Sequence, residues 1–541
     1  MNIPLTPLRF LRYAEQQYPR RTAVVCKHDR FTYAQFAERA GLLAGALRQA
    51  GIQPGDRVAF LGANCHRLLE AYYGVLEAGA VLLPLNIRLS SGELAYILND
   101  AEATVLFVEK QFVGLVESFY REIPTVKVFC QLEGAPEMPW LAPQNYDALL
   151  DAATPYRADI ATIDENALAE LFYTSGTSAT PKGVMLTHRN VYLHALHVCL
   201  NLQIENGSVE LHTIPLFHAN GWGVPHFLTL LGGKHVMIQH FDPKEVFRLI
   251  EQEGVRSCSV VPIMATVLVK CPERPNYDLR SLRRIVIGGA ASSPALIREV
   301  EEKLGCECFA GYGLTETCPV LTNSLMKPGL RWEGERRYVG QAATGYAIPG
   351  VELRVVDAND NDVAHDGRAV GEIVARGDGV MEGYWRQPEV SAHALRGGWF
   401  HTGDMATLDQ DNYLLIVDRK KDAIVSGGEN ISSLEIEKVV LAHPAVMEVG
   451  VIPVPDEKWG EVPKALVVLR PNMAVTEPEL IEFCRSHLAH YKCPRSFEFV
   501  ASLPKTATGK ILKKELRKKY WEGKDTLRPD FPVPRSSAHS A

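Results

Sequence analysis

Residues 173–190 read Y-T-S-G-T-S-A-T-P-K-G-V-M-L-T-H-R-N, a run of hydroxyls and glycines closed by one lysine. Small residues let backbone N–H groups approach phosphate oxygens without a clashing Cβ. The hydroxyls of Thr174, Ser175, Thr177 and Ser178 add donors, Gly176 adds freedom, and Lys182 adds a point charge. The order Lys182 then Gly183 separates the loop from a Walker A loop, which ends Gly-Lys-Ser/Thr. A phosphate grip and a polar surface loop are both consistent with this stretch alone; its partners downstream decide.

Three later segments supply what a nucleotide needs besides phosphate donors. G-Y-G-L-T-E-T at 311–317 follows Ala310 and offers Tyr312 as a stacking face between Gly311 and Gly313. In the same segment Glu316 is a carboxylate for a hard cation. Mg²⁺ takes few protein oxygens beside phosphate oxygens, so Glu316 and the Thr174 hydroxyl suffice as a predicted ligand pair. W-F-H-T-G-D at 399–404 ends in Asp404, whose two acceptor oxygens suit both ribose hydroxyls. Arg419 follows, reaching either that ribose or a phosphate, or pairing with Asp418 or Asp422. P-K-T-A-T-G-K at 504–510 sets Lys510 after a glycine turn, among the further lysines 513, 514, 518 and 519.

These groups need a scaffold larger than one core. The chain has 541 residues, and single hydrophobic cores stop growing beyond roughly 250 to 300. Two or more domains are expected. With 57 basic against 64 acidic residues the net charge is −7, so a nucleic-acid partner is not expected. The eleven cysteines form no C-x-x-C pair, which reads as reduced thiols in a cytoplasmic protein. No stretch of about 18 apolar residues occurs, so no transmembrane segment is predicted.

The elements read as alternating helices and strands. Thr32, then Phe36, Ala40, Leu43 and Leu47 at helical spacing, ends at Gly51 and leads through Pro54-Gly55-Asp56 to a strand over 57–61. A strand over 282–287 meets Gly288-Gly289-Ala290-Ala291. Ser293 then caps a helix with Pro294 first and Leu296, Ile297, Val300 and Leu304 inward. Strand, small-residue turn and helix in that order put ligands at strand ends. The predicted fold class is α/β: a large multi-layered N-terminal domain over 1–417, a charged hinge at 418–422, a small α+β domain over 423–527 and a fraying tail over 528–541.

Taken together, the segments resemble the acyl-adenylate-forming family, which includes AMP-forming acyl-CoA synthetases, adenylation domains of peptide synthetases and firefly luciferase. The resemblance runs from Phe31-Thr32-Tyr33 to Lys510. It implies an active site between a large domain and a small mobile one, with ATP and CoA as substrates and Mg²⁺ as cofactor. It implies that residues 174–182 bind phosphate and that Gly289, Ala290 and Ala291 lie beside adenine and the acyl group. Tyr312 would stack on adenine, Thr315 approach the α-phosphate, Glu316 bind Mg²⁺, and Asp404 with Arg419 clamp the ribose. Lys510 would serve adenylation. The hinge residue two past the arginine is Lys421, where many members have Asp. Gly427, Gly428 and Glu429 would meet the pantetheine arm of CoA, and a homodimer is implied.

The acid is read from P-L-F-H-A-N-G-W at 215–222, which resembles the segment lining the acyl pocket. It lacks the aspartate of amino-acid-activating members, so an apolar acid is expected. His218 is a candidate base for the thiol or a structural histidine. Trp222 resembles the tryptophan gating the acyl tunnel of fatty-acyl-CoA synthetases, or it only packs. Gly288, Gly289 and Gly313 would leave room for substrate. The resulting expectation is an acyl-CoA synthetase for a short- to medium- or longer-chain fatty acid. A methylthio-propionate-like or aryl acid stays open, as does loading of a carrier protein, although no carrier module follows Lys510.

Overall fold

The computed structural model describes residues 2–174, 181–419, 422, 424–426, 429–456, 459–488, 490–505 and 511–521. The chain divides into two compact units. The first comprises Met1–Arg354, Val374–Thr402 and Asp409–Leu414; the second comprises Val355–Ile373, Gly403–Leu408 and Leu415–Ala541.

Two mostly parallel sheets build the first unit. One has the strand order Gly383–Tyr384, Lys182–Thr187, Leu168–Thr174, Val81–Pro84, Arg57–Leu61, Ala103–Val108, Val128–Gln131. Strands covered on both faces are apolar throughout rather than alternating, and Ala103–Val108 is buried at every position. Phe60 and Phe107, register partners on neighbouring strands of this sheet, stack at 4.5 Å, with Tyr146 edge-on to both. The second sheet runs Tyr346–Ala347, Val320–Asn323, Glu307–Gly313, Arg284–Ile287, Ser257–Val260, Val209–His212, Lys234–Met237, Thr22–Cys26, Asp29–Thr32.

Local signals account for the helices that back these sheets. Thr32 caps Tyr33–Gln49 through a reciprocal box: its hydroxyl accepts from the Gln35 amide at 3.3 Å, and the Gln35 side chain accepts from the Thr32 amide at 2.9 Å. Ser293 accepts from Leu296 N–H at 3.2 Å to start Pro294–Leu304, which buries Ile297, Val300 and Leu304 and stops at Gly305 in the left-handed region.

The second unit holds an antiparallel hairpin, Val446–Asp456 with Gly460–Leu469. Ile424–Ser426 and Glu429–Ile431 extend it on one side, and Ser496–Phe499 pairs parallel to Gly460–Leu469. Helices Ser433–Leu441 and Glu477–Arg485 cover it, burying Ile436, Val440 and Leu480 against Val449, Val451, Ala465 and Val467. The observed α/β architecture agrees with the one read from the sequence.

Candidate active site

The residues on either side of the hydroxyl-rich segment form two antiparallel strands. Leu168–Thr174 pairs with Lys182–Thr187 in a register that sets Thr174 opposite Lys182, so both stand at the neck. Ser175, Gly176 and Thr177 lie outside the described residues. The strand is tied laterally: Tyr173 donates to Asp100 at 2.5 Å, and the Trp385 indole N–H donates to the Asp100 carbonyl at 3.0 Å.

Glu316 reaches this neck from another part of the chain. It sits in the short turn Thr315–Thr317 just past Glu307–Gly313, half-buried, beside a buried Thr315. The Tyr384 hydroxyl donates to its Oε1 at 2.9 Å, and its backbone carbonyl accepts from Met381 N–H at 2.9 Å. The Lys182 ammonium lies 5.1 Å from the centre of the Tyr384 ring. Burial lowers the Lys182 pKa below the ordinary lysine value, and the negative charge of Glu316 opposes that shift. Burial, then Glu316, raise the Tyr384 phenol pKa, so the hydroxyl stays protonated and able to donate. The sequence reading missed Tyr384; the aromatic pair Tyr384-Trp385 after Gly383 was its available signal.

The glycines around Tyr312 answer first to their own neighbours. A Cβ on Gly313 would fall 1.7 Å from the Pro319 carbonyl oxygen, and one on Gly311 would fall 2.8 Å from Asn323 Oδ1. The return strand Val320–Asn323 therefore demands both glycines, which leaves Tyr312 half-buried between them. Ala310 is buried, while Gly289, Ala290 and Ala291 are exposed at the end of Arg284–Ile287.

Trp222 changes the expected acyl pocket. It stands at φ +59° in the turn Ala219–Gly223, which half-buried His218 precedes. A Cβ on Gly288 would meet the Trp222 indole at 2.6 Å and the Gly311 carbonyl at 2.9 Å. The small residue expected to leave room for substrate is thus covered by the indole.

The remaining predicted residues belong to the second unit or lie outside the described residues. Asp404 is buried in Phe400–Leu408, and Arg419 ends Leu414–Arg419. Both aspartates named as alternative partners of Arg419 have contacts of their own in this unit. Asp418 accepts from Ser433 through its N–H at 2.6 Å and its hydroxyl at 3.0 Å, and Asp422 pairs with Arg517 at 3.1 Å. Glu429 opens the strand Glu429–Ile431. Lys421, Gly427, Gly428, Lys510 and the tail over 528–541 lie outside the described residues.

A hairpin neck presenting a lysine and a hydroxyl beside a carboxylate matches nucleotide activation, and the comparisons agree. The AMP-binding enzyme family matches residues 11–385, and the AMP-binding enzyme C-terminal domain matches residues 435–510. The chain belongs to the AMP-binding enzyme family. It is 36% identical to 4-hydroxybutyrate–CoA ligase 2 of Metallosphaera sedula, over 95% of this chain and 94% of that protein. It is 38% identical to the long-chain-fatty-acid–CoA ligase of Thermus thermophilus, over 94% and 95%. The structure of the anthranilate CoA ligase AuaEII with anthranoyl-AMP superposes with a TM-score of 0.85 at 26% identity, covering 96% of this chain and 98% of that one. The protein is an acid–thiol ligase, and ATP and CoA are the substrates of its class.

Proposed function

We propose that this ligase activates an apolar carboxylic acid, of fatty-acid type, in two steps. The acid's carboxylate attacks the α-phosphorus of ATP and expels pyrophosphate; CoA sulfur then attacks the acyl carbon and expels AMP. One observation carries the reading most: Lys182, Tyr384 and Glu316 converge at the neck of the hydroxyl-rich segment.

Charge dictates the first step. An anion attacking a polyanion needs cations on the phosphates and in-line placement more than it needs proton transfer. Lys182 supplies one such charge, and Lys510 is proposed to bridge the carboxylate and α-phosphate oxygens. The carboxylate of Glu316 and the hydroxyl of Thr174 are hard oxygen donors that fit Mg²⁺. Among the described residues no group of three or more His, Cys, Asp or Glu could hold a metal, which suits an ion sharing most of its sphere with phosphate and water. Mg²⁺ would neutralise phosphate charge there. Tyr312 and residues 289–291 are proposed to receive adenine, and Asp404 with Arg419 the ribose.

For the second step a C-terminal domain over 423–527 is proposed to turn about residues 418–422, withdrawing Lys510 and presenting residues 427–429 to pantetheine. A free thiol has a pKa near 8.5, so it needs a base, and His218 is proposed for that role. The relatives act on acids as different as 4-hydroxybutyrate and long-chain fatty acids. Trp222 over Gly288 also gives an aryl acid a flat wall, which favours that second reading of substrate class. A cytoplasmic homodimer completes the proposal, supported by the composition and the resemblance.

The test is a panel of straight-chain and aryl acids assayed for pyrophosphate release with and without CoA, on wild type and Lys510→Ala. Wild type should form acyl-AMP, whereas the variant should lose that step yet convert supplied acyl-AMP to thioester. Absence of AMP formation with every acid would refute the activity, and equal loss of both steps would refute the role of Lys510.

A further inference from the structure

One side chain touches both charged groups at the neck, and it comes from neither of their segments. Tyr384 lies on the two-residue strand Gly383–Tyr384, paired antiparallel to Lys182–Thr187 so that Tyr384 faces Val184. Its backbone is held from several directions. Its N–H donates to Ser391 Oγ at 2.8 Å, and its carbonyl accepts from Gln387 N–H at 3.1 Å. The next residue, Trp385, donates its N–H to the Gly183 carbonyl at 2.7 Å. Gly383 is required for this anchoring, since a Cβ there would fall 2.8 Å from Ser391 Oγ at φ +149°. The phenol therefore points where the backbone sends it.

We infer that Tyr384 is a positioning residue for the adenylation site: its hydroxyl fixes Oε1 of Glu316 so that the carboxylate is presented to Mg·ATP in one orientation, while its ring carries the Lys182 ammonium. The inference rests on the proposed metal role of Glu316. An ionised carboxylate only accepts, so the hydrogen bond at 2.9 Å runs from phenol to carboxylate and occupies one lone pair of one oxygen. Outer partners of metal-binding carboxylates act this way, and their loss costs roughly ten- to hundredfold in metal affinity. The ring face, 5.1 Å from the ammonium, holds Lys182 by attraction to the ring quadrupole without neutralising its charge. The two functions sit on different atoms of one residue and can be separated.

The test is calorimetric titration of ATP into the full-length chain at graded Mg²⁺ and in EDTA, with thermal midpoints as a check on folding. Tyr384→Phe keeps the ring and loses the hydroxyl. It should raise the Mg²⁺ needed for half-maximal tight ATP binding about tenfold while leaving metal-free ATP binding unchanged. Tyr384→Leu, which also loses the ring, should weaken metal-free binding as well. In the double variant Glu316→Gln with Tyr384→Phe, the Mg²⁺ requirement should be no worse than in Glu316→Gln alone, because the hydroxyl acts through that carboxylate; a merely structural role would add. Wild-type Mg²⁺ dependence in Tyr384→Phe, with Glu316→Gln impaired, overturns the inference alone. Wild-type dependence in Glu316→Gln overturns the metal role and the inference with it.

Discussion

At the neck, Lys182, Tyr384 and Glu316 are only half-buried, whereas elsewhere in the same unit a second set of polar side chains is sealed from water. His226 meets Glu170 at 2.8 Å, with side-chain exposures of 1% and 0%. His212 Nε2 meets His235 Nδ1 at 2.9 Å, and His235 Nε2 meets Thr229 Oγ1 at 3.0 Å. The Thr229 hydroxyl donates its one hydrogen to the Pro225 carbonyl at 2.7 Å. His235 must therefore donate to Thr229 from Nε2, and in its neutral form it accepts at Nδ1 from His212. In this chain from His212 through His235 to Thr229 each shared proton is assigned, and burial keeps both imidazoles neutral. Glu170 lies on the same strand as Thr174, so one strand serves both arrangements. The sealed set lies within the scaffold; the half-open set is the one proposed to meet the nucleotide.

Acid should separate the two sets most strongly. Burial lowers the pKa of His66, His194 and His212 to about 3 and that of His188 to about 4, from 6.5. Below pH 6.5 the unfolded chain takes up protons that the folded chain refuses. Stability is therefore full above pH 6.5 and falls as pH drops toward 4 and 3, by about 1 kcal/mol per histidine at pH 5.5. Glu210 works the other way. Burial raises its pKa to about 7 from 4.5, so its contribution is full below 4.5 and lost as pH rises through 7. Thermal midpoints between pH 7.5 and 5.5 should fall, and Glu210→Gln should steepen the fall by removing the offset. A flat profile would mean that these histidines are not sealed.

The next largest effect is expected at the buried pair. His226→Ala leaves the Glu170 carboxylate sealed without that partner, which costs about 3 kcal/mol. Glu170→Gln keeps an acceptor and should cost less than half as much. Urea unfolding of both variants checks the ranking, and any activity that survives below the transition should have an unaltered Mg²⁺ requirement. A changed requirement would join the two sets and break the contrast.

How much of this was legible before folding depends on how far apart in sequence the partners lie. The helix Tyr33–Gln49 was legible because its cap, Thr32 with Gln35, and its apolar spacing are local. Lys182, Thr174 and Glu316 were legible as chemical types within short motifs. Tyr384 was not, because its bond to Glu316 spans 68 residues and a tyrosine ahead of a tryptophan has many uses. The same holds for Glu170 and His226, 56 residues apart. Gly288 and Gly313 were read as room for substrate and Gly311 as a flank of Tyr312, but what lies against them is Trp222, the Pro319 carbonyl and Asn323. A glycine in a sequence states that a Cβ is excluded and leaves open what excludes it.

Lys182→Met should have the smallest effect on stability and therefore sharpens the comparison most. The substitution keeps an unbranched apolar stem against the Tyr384 ring and removes an ammonium whose pKa is already lowered by its half-buried position. Loss of the attraction to Glu316 and the ring is offset by relief of that desolvation, so the unfolding free energy should move by less than about 1 kcal/mol. Activity should respond differently, because a preorganised cation facing phosphate is worth about a hundredfold in turnover. Thermal midpoint and pyrophosphate release measured on one preparation give both numbers. A drop in stability as large as that of His226→Ala would show that the neck is held together by its charges, as the sealed pair is. A stable but nearly inactive variant would show that the half-open position of Lys182 serves the ligand and contributes little to the fold.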